Sequence, residues 1–232
     1  MVKKCLKVII IFYIFCVAGK ALTEGIGRIP DFMEIFAEDD DGDYGSRYIS
    51  VSDEWNLIVV NRWNKIPEGY DVTLTELSNG QQIDSRIYPY LQEMFDDMRA
   101  EGIYPIVREG YRTEEEQQKT FDEKVQAYRN EGYSRKRAEK AAKAVVAIPG
   151  TSEHQLGIAV DINADKERSD NEEVYAWLAE NAHRYGFILR YPQGKEDITG
   201  TSYEPWHYRY VGAEAAENIF KDNICLEEYF LQ

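Results

Sequence analysis

The apolar positions of this chain fall into short periodic runs, and their spacing predicts most of its elements. Leu91, Met94, Phe95 and Met98 recur at the i, i+3, i+4, i+7 spacing of one helix face. That predicts a helix over 88–101, closed by Gly102. Residues 103–110 alternate and are rich in β-formers, which predicts a strand. Thr113 followed by Glu114, Glu115 and Glu116 is a capping-box pattern whose acids complement the helix dipole. The helix it opens is expected to reach about 131, with Phe121, Val125 and Tyr128 inward and Gly132 at its end. Ser134 can cap a third helix reaching about 147, stopped by Pro149 and Gly150. A strand is expected over 157–163, and Asp170 opens a helix whose Val174, Trp177, Leu178 and Ala182 share a face. Residues 187–191 and 207–211 read as strands, 213–221 as a last helix, and 55–61 as a buried strand or extended segment. Strands and helices do not alternate regularly enough for a doubly wound sheet. The expected fold class is α+β, a small, mostly antiparallel sheet flanked by helices in a single domain.

The N-terminal part carries a different pattern. Lys3, Lys4 and Lys7 precede an apolar run over 8–19, and Lys20 follows it. A basic start and an apolar run shorter than the ~20 residues of a membrane span match a secretory signal peptide, with an uncleaved membrane anchor as the rival. Residues 37–45 are acidic and punctuated by glycine. They read as solvated chain rather than a calcium loop, because Gly42 does not fall at the sixth position such a loop needs. The expected organisation is a signal peptide or anchor over 1–22, an acidic linker over 23–52 and one folded domain over 53–232. The domain is therefore expected outside the cytoplasm, secreted or anchored to the outer face of the cell membrane.

Composition narrows the partners. The net charge of −15 argues against a nucleic-acid backbone. Cys5 and Cys16 lie in the leader, which leaves Cys225 alone and the domain without an internal disulfide. The core, and a metal if one is bound, must hold it.

The candidate chemistry sits in two stretches. Thr151 to Asp161 reads TSEHQLGIAVD and puts His154 and Asp161 seven residues apart, and Glu204-Pro205-Trp206-His207 follows later. Two imidazoles and a carboxylate suit zinc with an open fourth position, and Glu204 remains as a free carboxylate. On a regular strand Glu204 and His207 would face opposite ways. Pro205 disfavours a regular ladder and favours a bulge or edge that turns both to one pocket. Each residue alone is unexceptional, and the residues by themselves leave a metal site and a metal-free structural role both open. His183, the other histidine, falls off its helix's apolar stripe and reads as a surface residue.

Ser152 to Asp161 matches the pattern S-x-H-x-x-G-x-A-x-D, and Glu204 to His207 matches E-x-W-H. Together they resemble the VanY-type zinc D-alanyl-D-alanine carboxypeptidases, within the lysostaphin-like, D-Ala-D-Ala-cleaving and hedgehog-like metallopeptidases, over roughly residues 55–230. The resemblance implies a hedgehog/DD-peptidase-like fold and one Zn²⁺ per chain, bound by His154, Asp161 and His207, with Glu204 as catalytic acid/base. Gly110-Tyr111-Arg112-Thr113 with Gln117 is similar to the family's G-Y-R-S-x-x-x-Q segment, Thr113 keeping the hydroxyl. It implies that Arg112 binds the substrate's terminal carboxylate, with Gln117 and Ser152 beside it. Read without the resemblance, Arg112 is a solvated residue before a helix. Trp206 is a candidate pocket wall and equally a core residue. The implied activity is removal of the C-terminal D-Ala from D-Ala-D-Ala-ending peptidoglycan stem peptides or precursors. The alternatives are an L,D-carboxypeptidase trimming tetrapeptide stems, and a non-catalytic wall-binding module of the same fold. No nucleic acid is expected as partner, and a membrane only through the N-terminal anchor. The sequence leaves the oligomeric state open.

Overall fold

The computed structural model describes residues 54–230, which lie within one compact unit. The leader and linker expected over 1–52 fall outside the described residues. Ile58, Val59 and Val60 are buried but do not pair into a strand. A hairpin follows, β1 (Leu74–Glu76) against β2 (Gln82–Asp84). The sequence pattern did not predict it. Each strand is three residues long, too short for an alternation to register.

Helix α1 (Tyr88–Ala100) buries Leu91, Met94, Phe95 and Met98, the predicted stripe. After β3 (Pro105–Glu109) comes α2 (Glu114–Asn130), whose capping box forms as expected: the Thr113 hydroxyl accepts from the Glu116 N–H, and the Glu116 carboxylate accepts from that of Thr113. Its buried residues are Gln117 and Phe121, while Val125 and Tyr128 are half-buried. Helix α3 (Arg135–Lys143), capped by Ser134, stops short of the expected 147 and packs an alanine face, Ala138, Ala141 and Ala142, toward the interior. Strand β4 (Ala159–Ala164) and α4 (Asn171–Asn181) follow, then β5 (Phe187–Leu189), the one-turn α5 (Glu196–Thr199), β6 (His207–Tyr210), α6 (Ala213–Asp222) and α7 (Leu226–Tyr229). No described helix is long and apolar enough to cross a membrane.

The main sheet is antiparallel throughout, in the order β3-β4-β6-β5. That bears out the expected fold class. Alternation along the strands divides its two faces. Val160, Ile162, Phe187, Tyr208 and Tyr210 point into the main core with the apolar faces of α1 and α4. The intervening residues, Asp161 on β4 and His207 and Arg209 on β6, face the other way. Along that second face Ile188 and Val211 join Ala215, Ala216 and Ile219 of α6 in a smaller core. Within this register Asp161 lies directly opposite His207.

Candidate active site

Cross-strand pairing places the first two ligand candidates. Side chains directly opposite on antiparallel strands are close neighbours, and His207 Nδ1 comes to 3.0 Å from Asp161 Oδ1. His154 arrives from the 3-10 turn Glu153–Leu156, which Gly157 ends at φ +70° before β4 begins. A Cβ on Gly157 would be strained by the positive φ and would also crowd Val72 Cγ2 at 3.0 Å and the Asp84 nitrogen at 3.1 Å. The turn carries the imidazole back over the sheet, as the seven-residue spacing requires. His154 Nδ1 lies 2.8 Å from the Gly110 carbonyl oxygen. A carbonyl only accepts, so Nδ1 carries the proton and Nε2 is left facing Asp161 Oδ1 at 3.5 Å.

The ligand atoms of His154, Asp161 and His207 all lie within 4.8 Å of one another. Tetrahedral zinc with bonds of roughly 2.0–2.1 Å would separate its ligand atoms by roughly 3.3 Å, and the 3.0 and 3.5 Å contacts to Asp161 bracket that spacing. Two nitrogens and a carboxylate oxygen, with one histidine tautomer already set, fit zinc.

Glu204 reaches the same place by a turn. The His207 N–H donates to the Glu204 carbonyl at 3.2 Å, closing residues 204–207 into a β-turn ahead of β6. The Glu204 carboxylate thereby comes to 3.8 Å from His207 Nδ1. The expectation of a bulge or edge strand is corrected: β6 is an interior strand, and the pair converges because Glu204 precedes the ladder.

The electrostatics follow from burial and neighbours. Burial pushes the Glu204 carboxyl upward and nearby Asp161 adds to this, against the opposing pull of His207 and His154. Burial would raise Asp161 too, but the two imidazoles outweigh it and hold the carboxyl well below its usual range. His207 is pushed the other way. Burial alone would lower it, yet Asp161 and Glu153 together take it up to about 9 in the metal-free protein.

Arg112 is anchored beside this site. Its backbone N–H donates to the His154 carbonyl at 3.2 Å, and its Nη1 donates to Gln117 Oε1 at 2.7 Å. Nη2 stands 3.5 Å from Glu109 Oε2. Gln117 is buried, and its Nε2 donates to the Ala147 carbonyl at 2.5 Å, so one end of its amide binds the guanidinium while the other is anchored to the backbone. A polar cleft of 370 Å³ opens along Arg112, lined also by Gln82, Glu109, Tyr111 and Glu116, while the metal-ligand candidates lie outside its lining. Ser152 is buried at the start of the 3-10 turn. Trp206 is half-buried in the 204–207 turn, where its carbonyl accepts from the Ile162 N–H at 2.9 Å. His183 is corrected from a surface position. Its ring stacks 3.7 Å from that of Phe220, and Nε2 is 3.3 Å from Glu217.

Sequence reasoning missed a cluster of buried charges under His207. Glu153 Oε1 accepts from Arg190 Nε at 2.7 Å and from Arg209 Nη1 at 2.8 Å. Glu227 accepts from both Nη atoms of Arg190, at 2.6 and 2.7 Å, and from Asn61 Nδ2 at 3.0 Å. The available signal was an arginine in each of two strand patterns rich in apolar and aromatic residues, FILRY and HYRYV.

Two imidazoles and two carboxylates brought together at one face of an antiparallel sheet, in this α+β fold, match a zinc peptidase of the D-Ala-D-Ala-cleaving, hedgehog-like class. Residues 80–213 match the family model described as VanY, D-alanyl-D-alanine carboxypeptidase. The chain belongs to this family. A D-alanyl-D-alanine carboxypeptidase of Enterococcus faecalis is 61% identical over 176 residues, a match covering 76% of this chain and 66% of that relative. A zinc-bound variant of the vancomycin-resistance D,D-pentapeptidase VanY, from a VanB-type cassette, is 61% identical with a TM-score of 0.74, covering 76% of this chain and 99% of that one. VanYB in complex with D-alanine-D-alanine is 60% identical with a TM-score of 0.75, covering 77% and 99%.

Proposed function

We propose that the domain is a zinc-dependent carboxypeptidase that removes the C-terminal D-alanine from D-Ala-D-Ala-ending peptidoglycan stem peptides or their precursors. The observation that carries this reading is the convergence of one ligand atom each from His154, Asp161 and His207 within 4.8 Å of one another, with the Glu204 carboxylate beside them. The relatives above supply the substrate class. Its place of action is outside the cytoplasm, which the basic and apolar leader of the sequence supports.

Bound at these three residues, zinc supplies Lewis acidity toward the scissile carbonyl and toward water. The chain's own residues do the rest. Arg112 offers a planar fork of N–H donors to the terminal carboxylate, and Gln117 fixes its orientation before substrate arrives. Glu204 takes a proton from the attacking water at its carboxylate, as the water oxygen bonds to the carbonyl carbon. It then delivers that proton to the nitrogen of the departing D-alanine as the C–N bond breaks. Burial of Glu204 lifts its carboxyl toward the pH at which it must both accept and return a proton.

The test is incubation of the purified domain with pentapeptide and tetrapeptide stems, with and without chelator, followed by mass analysis. The expected product is the pentapeptide less one D-alanine, abolished by chelator and restored by zinc. Cleavage of the tetrapeptide alone would replace this reading with L,D-carboxypeptidase activity, and no cleavage of either would leave a binding module.

A further inference from the structure

Glu153 is enclosed with no exposed side-chain surface, one residue before a metal-ligand candidate, and the mechanism above does not use it. Its Oε1 is fully engaged by Arg190 and Arg209. Its Oε2 has no hydrogen-bond partner among the described residues, and neither has His207 Nε2. These two orphaned buried atoms face each other at 3.6 Å. That separation is beyond a formed hydrogen bond, and a shift of about 0.6 Å would bring it into range. Leaving either buried atom unsatisfied is costly, so the pairing is the outcome that satisfies both.

We propose that Glu153 is the positioning residue that fixes the tautomer of His207, accepting the Nε2 proton so that the Nδ1 lone pair is presented to the metal. The proposal rests on the metal-site reading above. A carboxylate held between two guanidiniums stays ionised, and an ionised carboxylate only accepts. The opposite tautomer would point the His207 Nε2 lone pair at the Glu153 lone pairs and its Nδ1 proton into the metal site. His154 is set by a neutral acceptor, the Gly110 carbonyl, whereas His207 is set by a charged one. A carboxylate behind a metal-bound imidazole fixes ring orientation and raises ligand basicity. Glu227 completes the arrangement by balancing Arg190, so two acids and two arginines neutralise one another beneath the site.

The first test uses the unmodified protein. With three histidines in the chain, a long-range proton–nitrogen spectrum of the imidazoles can be assigned in the zinc-loaded domain. The expected result is His207 protonated at Nε2 with Nδ1 coordinating; a proton on Nδ1 overturns the proposal. The second test compares zinc affinity, by chelator competition, in Glu153→Gln and Glu227→Gln. Both remove a charge from the buried cluster, but only Glu153 faces His207. Glu153→Gln is expected to weaken zinc binding by about 10- to 100-fold, and Glu227→Gln to leave it as in the parent while lowering thermal stability. Equal effects in the two variants would mean that Glu153 is merely structural. If Glu153→Gln does not fold, the spectrum of the parent decides. A parent that takes up no zinc defeats the metal-site reading itself; one that takes up zinc with His207 protonated at Nδ1 defeats only this inference.

Discussion

In the proposed mechanism Glu204 and Arg112 act on the reaction without being metal-ligand candidates, so removing each should have a distinct consequence. Glu204→Ala leaves the His154, Asp161 and His207 donors in place, and zinc content should match the parent. Turnover should fall by at least ~10²-fold, the usual contribution of a positioned acid–base group. A parent-like kcat in a zinc-loaded variant would sink the proton-carrier role. Arg112→Ala should act on recognition instead, collapsing the preference for a free C-terminal carboxylate over its amide; rates compared on that substrate pair are the check, and an unchanged preference refutes the role. The metal-ligand candidates were readable in the sequence because imidazole and carboxylate at those spacings carry their chemistry in their residue type. Glu153 was not. It occupies a filler position of the motif, and what it does depends on arginines 37 and 56 residues away.

At the scale of elements, the hairpin β1–β2 and the segment after β3 together set His154. Gly110 has an ordinary backbone conformation, but a Cβ there would fall well inside contact distance of the Gln82 carbonyl on β2. That carbonyl accepts from the Tyr111 N–H, while the Gly110 carbonyl holds His154 Nδ1. Gly110→Ala must therefore push the hairpin and the 110–112 segment apart, an overpacking cost of ~1–3 kcal/mol. The expected outcome is a lower Tm of the metal-free domain together with weaker zinc binding, read by thermal denaturation and chelator competition. A lower Tm with parent-like zinc affinity would show that the Gly110 carbonyl does not set the imidazole. The long helices were legible because their apolar period and caps are local: α1 buries its predicted stripe, and Thr113 and Asp170 cap as their side chains dictate. The hairpin was not legible: its strands are three residues each, and it is tied to the domain by contacts such as the Asp84 N–H to the Gly157 carbonyl, 2.8 Å apart in space and far apart in sequence.

For the domain as a whole, metal and proton compete for one atom. Metal-free His207 is raised from 6.5 to about 9, burial being outweighed by Asp161 and Glu153. A group whose folded value lies above its unfolded one adds stability that is complete below the unfolded value and is lost as pH rises through the folded one. The chelated domain should therefore lose stability between pH 6.5 and 9. Glu204, also raised, acts in the same direction at lower pH. Zinc requires the His207 Nδ1 lone pair, so its binding displaces a proton over this window and its apparent affinity climbs with pH. The two trends oppose each other: the urea midpoint of the chelated domain falls as pH rises, while the further increase in midpoint on adding zinc grows. Calorimetry in buffers of different ionisation enthalpy should register proton release on zinc binding below about pH 9, diminishing above it. A chelated domain whose midpoint is flat or rising from pH 6.5 to 9, or zinc binding that releases no proton at neutral pH, would show that His207 is not held in its charged form by Asp161 and Glu153.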